Sequence, residues 1–209
     1  MSDGLAAEKS ALRQAMRVAR QALDADRRVS LTIAAVERLL ELPAFDRLEG
    51  RVIAGYVAVG GELSPAGALA FVRDQGGTVA LPRVSDTPPR LRFHTLAAEM
   101  RLRTGRFGLS EPPETAPEIR VSTLAVRIVP GLAFDGGGRR VGFGGGYYDG
   151  VIDEARAGGA VVIGFAYDFQ IVDRVPAGPA DCGVDLVVTD ARVITSSRGT
   201  RSGPASRPG

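Results

Sequence analysis

Apolar side chains recur at Leu5, Leu12, Met16, Ala19 and Leu23, a spacing that predicts an amphipathic helix over about 5–23. Lys9, Arg13, Arg17 and Arg20 fall between them and give this helix a basic side. Asp24 or Asp26 can cap a second helix, whose buried stripe is expected at Val29, Ile33, Val36 and Leu40 before Pro43 ends it. Residues 51–59 (RVIAGYVAV) form a β-rich run closed by Gly60 and Gly61. Ser64 and Pro65 then read as the N-cap and first residue of a helix to about Asp74. TVALPRV and LRFHTL follow as strands. Alternation in the second of these sets Leu91, Phe93 and Thr95 against Arg92, His94 and Leu96, so His94 is expected at the surface.

Residues 104–122 hold Pro112, Pro113 and Pro117 with little periodicity, which predicts a long surface connection. LAVRIVPGLAF, over 124–134, is the most apolar run and reads as one strand near the sheet centre. A Gly/Arg loop (136–146) and a helical segment from Tyr147 come next, then two continuous apolar strands, AVVIGFAY and VDLVVTD. Helices alternating with such strands predict an α/β fold: one domain over 1–194, with a largely parallel or mixed central sheet covered by helices on both faces.

The chain's 209 residues suit one such unit, and no apolar run approaches the roughly 20 residues of a membrane-spanning helix. A net charge of +2 with a sequence pI near 9.0 suggests nucleic acid until the charge is located. Residues 195–209 carry Arg198, Arg201 and Arg207 and no acid, and taking those three from +2 leaves −1 for the rest. That segment, rich in Ser, Gly, Pro and Arg, is expected to be disordered, and nucleic acid ceases to be the natural partner. One cysteine (Cys182) and one histidine (His94) leave little for a Cys-rich zinc site or Ser-His-Asp catalysis. Without a disulfide framework or a signal-peptide core, a cytoplasmic protein with no membrane association is expected; a monomer is the default expectation, although no sequence feature bears on oligomeric state. Lys9 is the only lysine in a chain whose other cations are arginines, which makes it conspicuous.

The densest chemical signal is Arg139-Arg140-Val141-Gly142-Phe143-Gly144-Gly145-Gly146-Tyr147-Tyr148-Asp149, which leaves a strand and enters a helix. Glycines at that junction let backbone amides converge on an anion, and the helix N-terminus adds partial positive charge. Arg140 suits a polyphosphate, and Asp149 suits a Mg²⁺ ion bridging phosphates. The run lacks the Lys-Ser/Thr of a P-loop and the glycine spacing of a dinucleotide fingerprint.

This block, preceded by Pro130-Gly131-Leu132-Ala133-Phe134-Asp135, resembles the signature of the 5-formyltetrahydrofolate cyclo-ligase family. Further matches lie in family order at Lys9 with Leu12-Arg13, Glu62, Leu81-Pro82, Glu111-Pro112, Gln170, Pro176 and Asp185. The resemblance implies ATP- and Mg²⁺-dependent closure of 5-formyltetrahydrofolate to 5,10-methenyltetrahydrofolate, with release of ADP and phosphate. It implies Arg140 and Tyr147 as catalytic, and ATP contacts from Lys9, Arg13, Arg140, Gly142, Phe143, Gly144, Gly145, Gly146, Tyr147 and Tyr148. It also implies folate contacts from Val57, Glu62 and Tyr147, and Mg²⁺ ligands at Asp149 and Asp185. Gly145 stands where some members carry Lys. A reduced-folate or nucleotide-binding protein without turnover is the alternative, and an RNA-binding module using Arg17, Arg20 and the tail ranks below both.

Overall fold

In a computed structural model, residues 2–85, 90–97, 100–105, 108–178 and 181–197 are described. Five strands make the parallel heart of the sheet: β1 (Val52–Ala54), β2 (Thr78–Ser85), β7 (Val126–Val129), β10 (Val161–Phe165) and β12 (Leu186–Val188). They lie in the order β12-β10-β7-β1-β2. Antiparallel strands finish both edges: β13 (Val193–Thr195) beside β12, and β3 (Arg90–Thr95) then β6 (Glu118–Ile119) beyond β2. The sheet is therefore mixed. Two small pieces stand apart, β4 (Arg103–Thr104) with β5 (Ser110–Glu111), and β11 (Ile171–Val172) with β8 (Ala133–Asp135) and β9 (Arg140–Val141).

Period-2 alternation sends successive strand residues to opposite faces. Ile53, Leu81, Ile128 and Ile163 pack on the face covered by α2 (Ala25–Leu40) and α3 (Ala66–Asp74). Ala54, Ala80, Val129 and Val162 turn to the face covered by α4 (Tyr147–Ala157). α1 (Ser2–Gln21) lies instead across β8 and β9, where Leu12 and Met16 meet Leu132, Ala133 and Val141.

The chain steps from β1 outward to β2 and later returns to β7 on the other side of β1. The crevice between the C-terminal ends of β1 and β7 is thus a topological switch point, the usual ligand position in open α/β sheets.

Several expectations change in detail. The run over 124–134 is two strands: Pro130 has no N–H to donate, β7 stops at Val129, and β8 joins the small sheet. The run over 51–59 is a strand only to Ala54, after which the chain opens into the crevice. Val29 and Ile33 are exposed, because Arg28 turns inward to donate to the carbonyls of Arg20, Leu23 and Gly61 and rotates the helix so that Ala35 and Leu39 are buried. α3 starts at Ala66 with Pro65 as its cap, one residue later than expected. His94 is buried, its Nδ1 2.8 Å from the Ala116 carbonyl, since the proline-rich connection folds back and adds β6 to the edge. At the other end β13 reaches Thr195 and Ser196 is buried, so the fold runs past residue 194; residues 198–209 of the expected disordered tail lie outside the described residues.

Candidate active site

A cavity of about 480 Å³ occupies the switch-point crevice. Its floor comes from the segment after β1, with Tyr56, Val57, Val59 and Glu62, and from Pro130 after β7. β2 and β3 add Pro82, Val84 and Leu91, and the proline-rich connection adds Leu109, Ser110 and Glu111. The opposite wall is the glycine loop between β9 and α4, backed by Lys9 and Arg13 of α1. One half is therefore mainly apolar with two buried acids, Glu62 and Glu111, and the other is cationic and rich in backbone amides.

The long sequence block divides into scaffold and wall. Asp135, 1% exposed, accepts from the amides of Gly137, Arg139 and Val175, and Gln170 donates to the carbonyls of Gly131 and Leu132. These bonds fix the turn that aims Arg140. Its guanidinium donates to the Pro130 carbonyl at 3.2 Å and to Asp149 at 2.9 Å, and it lies 5.4 Å from the Tyr148 ring. Gly144 (φ +107°) and Gly146 (φ +67°) hold conformations that L side chains rarely adopt. Gly146 leads into α4 with no side-chain cap, so the first amides of α4 keep their capacity for an anion. A Cβ at Gly145 would stand 2.6 Å from the Tyr147 ring, so in this chain a bare backbone there accommodates the tyrosine.

The basic side of α1 faces this wall. Lys9 binds both oxygens of Asp181 (2.8 and 2.5 Å), and Arg13 donates to the Gly142 carbonyl at 2.8 Å. Arg17 and Arg20 lie 5.9 and 5.7 Å from the half-exposed Phe143 ring. The Asp181 carboxyl is held below its ordinary value: partial burial works to raise it, and hydrogen bonds from Lys9 and the Gly178 amide outweigh that. Asp149 accepts from Arg140 and, at 3.4 Å, from the amide of Cys182, so the two aspartates are neighbours across one peptide.

Of the two acids in the apolar half, Glu111 is taken up by the Val84 amide and Arg83, and Glu62 stands on the segment after β1. Its Oε2 accepts from the Val59 amide at 3.1 Å, and its Oε1 lies 3.7 Å from the Arg20 guanidinium. Burial pushes its pKa up to about 7, against the opposing pull of the Val59 amide and Arg20. Burial raises Tyr148 to about 12 and Tyr56 well above the ordinary phenol. Cys182 is pushed up to about 11 by burial and by Asp153, so it stays a thiol rather than a nucleophile at neutral pH.

The cavity gathers every expected site residue except Asp185. Asp185 stands before β12, at the end of the parallel strands opposite the crevice, where it accepts from Arg156 and the Val162 amide. Asp149 lies in the first turn of α4 and Arg156 in the last, about 10 Å apart along the axis at ~1.5 Å per residue. Asp185 thus clamps α4 to the sheet, away from the cavity. Among the described residues no cluster of three or more His, Cys, Asp or Glu is preformed for a metal. Asp181 and Arg20 escaped sequence reasoning: Asp181 sits in an aperiodic loop, and only the isolation of Lys9 hinted that it has a partner.

A model of the 5-formyltetrahydrofolate cyclo-ligase family matches residues 5–190. The chain belongs to that family. The 5-formyltetrahydrofolate cyclo-ligase of Mycolicibacterium smegmatis is 32% identical over 156 residues, covering 73% of this chain and 80% of the relative. The Escherichia coli K12 cyclo-ligase is 27% identical over 180 residues, 85% of this chain and 98% of the relative. Among solved structures, the 5,10-methenyltetrahydrofolate synthetase of Aquifex aeolicus superposes with a TM-score of 0.80 at 28% identity, covering 95% of this chain and 97% of the other. In this chain most residues of the signature block either line the cavity or hold it open. Among the described residues no helix is long and apolar enough to cross a membrane.

Proposed function

We propose that the protein closes 5-formyltetrahydrofolate to 5,10-methenyltetrahydrofolate at the expense of ATP, with Mg²⁺. The observation that carries this reading is one cavity that sets an apolar half carrying buried acids against a cationic, amide-rich half. A pterin needs a flat slot and an acceptor for its ring N–H donors, which Val57, Tyr56 and Glu62 supply. A triphosphate needs Lys9, Arg13, Arg140 and the amides of Gly142, Phe143, Gly144, Gly145 and Gly146. Tyr147, between the two halves, is in position to touch both ligands.

The formyl group on N5 is an amide, and resonance makes its carbon a poor electrophile. Transfer of the γ-phosphoryl group to the formyl oxygen breaks its bond to ADP and turns that oxygen into a leaving group. N10 then attacks the carbon, the C–O bond breaks, phosphate departs and N10 loses its proton. Ring closure within one molecule can have an effective molarity of about 10⁵ M or more, so alignment and charge stabilisation are the protein's main tasks.

Lys9 and Arg140 are each paired with a carboxylate, Asp181 and Asp149. An incoming triphosphate competes for both cations and leaves the two acids free to accept elsewhere. Mg²⁺ keeps several waters and takes one or two carboxylates plus phosphate oxygens, and Asp149 with Asp181 fits that need. Bound there it would supply charge neutralisation at the β- and γ-phosphates. Arg140 would meanwhile follow the transferring phosphoryl group, and Tyr147 would fix the formyl group in line.

Mixing the protein with 5-formyltetrahydrofolate, ATP and Mg²⁺ tests this. Methenyl-folate absorbance should rise in the near ultraviolet with one phosphate released per product, and stay flat when ATP is omitted. Folded protein that binds both ligands and yields no product would favour the non-catalytic alternative.

A further inference from the structure

Arg20 belongs to the basic side of α1, yet it does not line the cavity and is 1% exposed. A buried guanidinium is expected to have a fully satisfied fork, whereas here Nε has no hydrogen-bond partner and the contact to the Gly131 carbonyl is long, at 3.4 Å. What it faces is Glu62, 7% exposed, across 3.7 Å. Glu62 lines the cavity, and its Oε1 accepts no hydrogen bond. The other face of Arg20 is covered by Phe143 of the glycine loop.

We propose that Arg20 is a positioning residue that keeps Glu62 an aimed carboxylate at the cavity wall, ready to accept from adjacent N–H donors of a pterin-type ring. The inference rests on the folate reading for its ligand and on geometry alone for the pair.

The surroundings of Glu62 leave this task to Arg20. From the segment after β1, Tyr56 donates to the Leu63 carbonyl at 2.5 Å and offers no positive charge. Arg28 of α2 is committed to backbone carbonyls, including that of Gly61. Tyr148 of α4 and Tyr167 after β10 are neutral phenols and bring no positive charge to Glu62. Arg17 on α1 lies one turn from Arg20 and is exposed. Burial already brings Glu62 to about 7, and removing the one adjacent cation moves it further toward the neutral acid, which presents a hydroxyl where the ring presents N–H.

The direct test is the Glu62 carboxyl resonance in ¹³C-Glu-labelled, ligand-free protein, assigned with Glu62→Gln. Its titration midpoint should rise by about one pH unit or more in Arg20→Gln and stay close to wild type in Arg20→Lys, which keeps the charge. Calorimetry with 5-formyltetrahydrofolate should then give affinity about fivefold or more weaker at pH 7 in Arg20→Gln, recovering toward wild type near pH 9, with affinity for a non-hydrolysable ATP analogue far less affected. An unmoved midpoint, or weakening that is equal at every pH, overturns the proposal. So does Arg20→Lys moving the midpoint as far as Gln does, a comparison that still decides if Arg20→Gln does not fold. Should wild type bind no 5-formyltetrahydrofolate while the midpoint moves as expected, the folate reading fails and Arg20's control of Glu62 stands.

Discussion

Glu62 sits where its charge is costly, buried beside tyrosines and answered by one arginine. A carboxyl raised from 4.5 to about 7 in the folded state favours folding fully below its unfolded value, and loses that contribution as pH rises through 7. Wild type should therefore lose stability relative to Glu62→Gln between those two values, by up to about 3 kcal/mol. Urea titrations across that window measure the difference, and any constant offset from leaving Arg20 alone does not affect its slope. A flat difference would mean that Glu62 titrates as an exposed carboxylate does. On the cationic side, Arg140→Ala and Asp149→Asn should each lower kcat/KM by about tenfold or more, roughly 1.4 kcal/mol of transition-state stabilisation. Wild-type rates in either variant would remove the phosphate site from this wall.

The elements that carry the site are short and irregular, and each ends where a residue forces it to. β7 gives way at Pro130, and the glycine loop reaches α4 only through the positive φ of Gly144 and Gly146. Gly146→Ala should cost about 1–2 kcal/mol from its backbone conformation, read as a lower denaturation midpoint, with weaker nucleotide binding as the α4 N-terminus tilts. α4 itself is held at its far end by the bridge from Arg156 to Asp185. Asp185→Asn is accordingly expected to lower thermal stability while leaving the dependence of rate on Mg²⁺ concentration unchanged. A weakened Mg²⁺ response in that variant would return Asp185 to the metal.

Across the whole molecule, what was legible in the sequence was what repeats or clusters. The amphipathic period of α1 and the continuous apolar strands predict a covered mixed sheet, and the glycine block with Arg140 and Asp149 marks the cationic wall. What was not legible depends on contacts between distant segments: Lys9 meets Asp181 across the fold, and Arg20 meets Glu62 between a helix and a loop. His94 was misjudged because alternation fixes which face a residue takes but not whether a later segment covers it. That Asp185 stands apart from the cavity was not legible either, because its place in a strand says nothing of which end of the sheet holds the crevice; parallel pairing of β10 and β12 decides that. Strand order supplies the rest, since the switch point between β1 and β7 brings Glu62 and Arg140 to one crevice from opposite halves of the chain. The central claim is that this crevice aligns ATP with a formyl oxygen, and ¹⁸O in the formyl group of 5-formyltetrahydrofolate tests it most directly. Recovery of that label in the released phosphate, detected by ³¹P NMR, is the predicted result; unlabelled phosphate alongside methenyl product would contradict it.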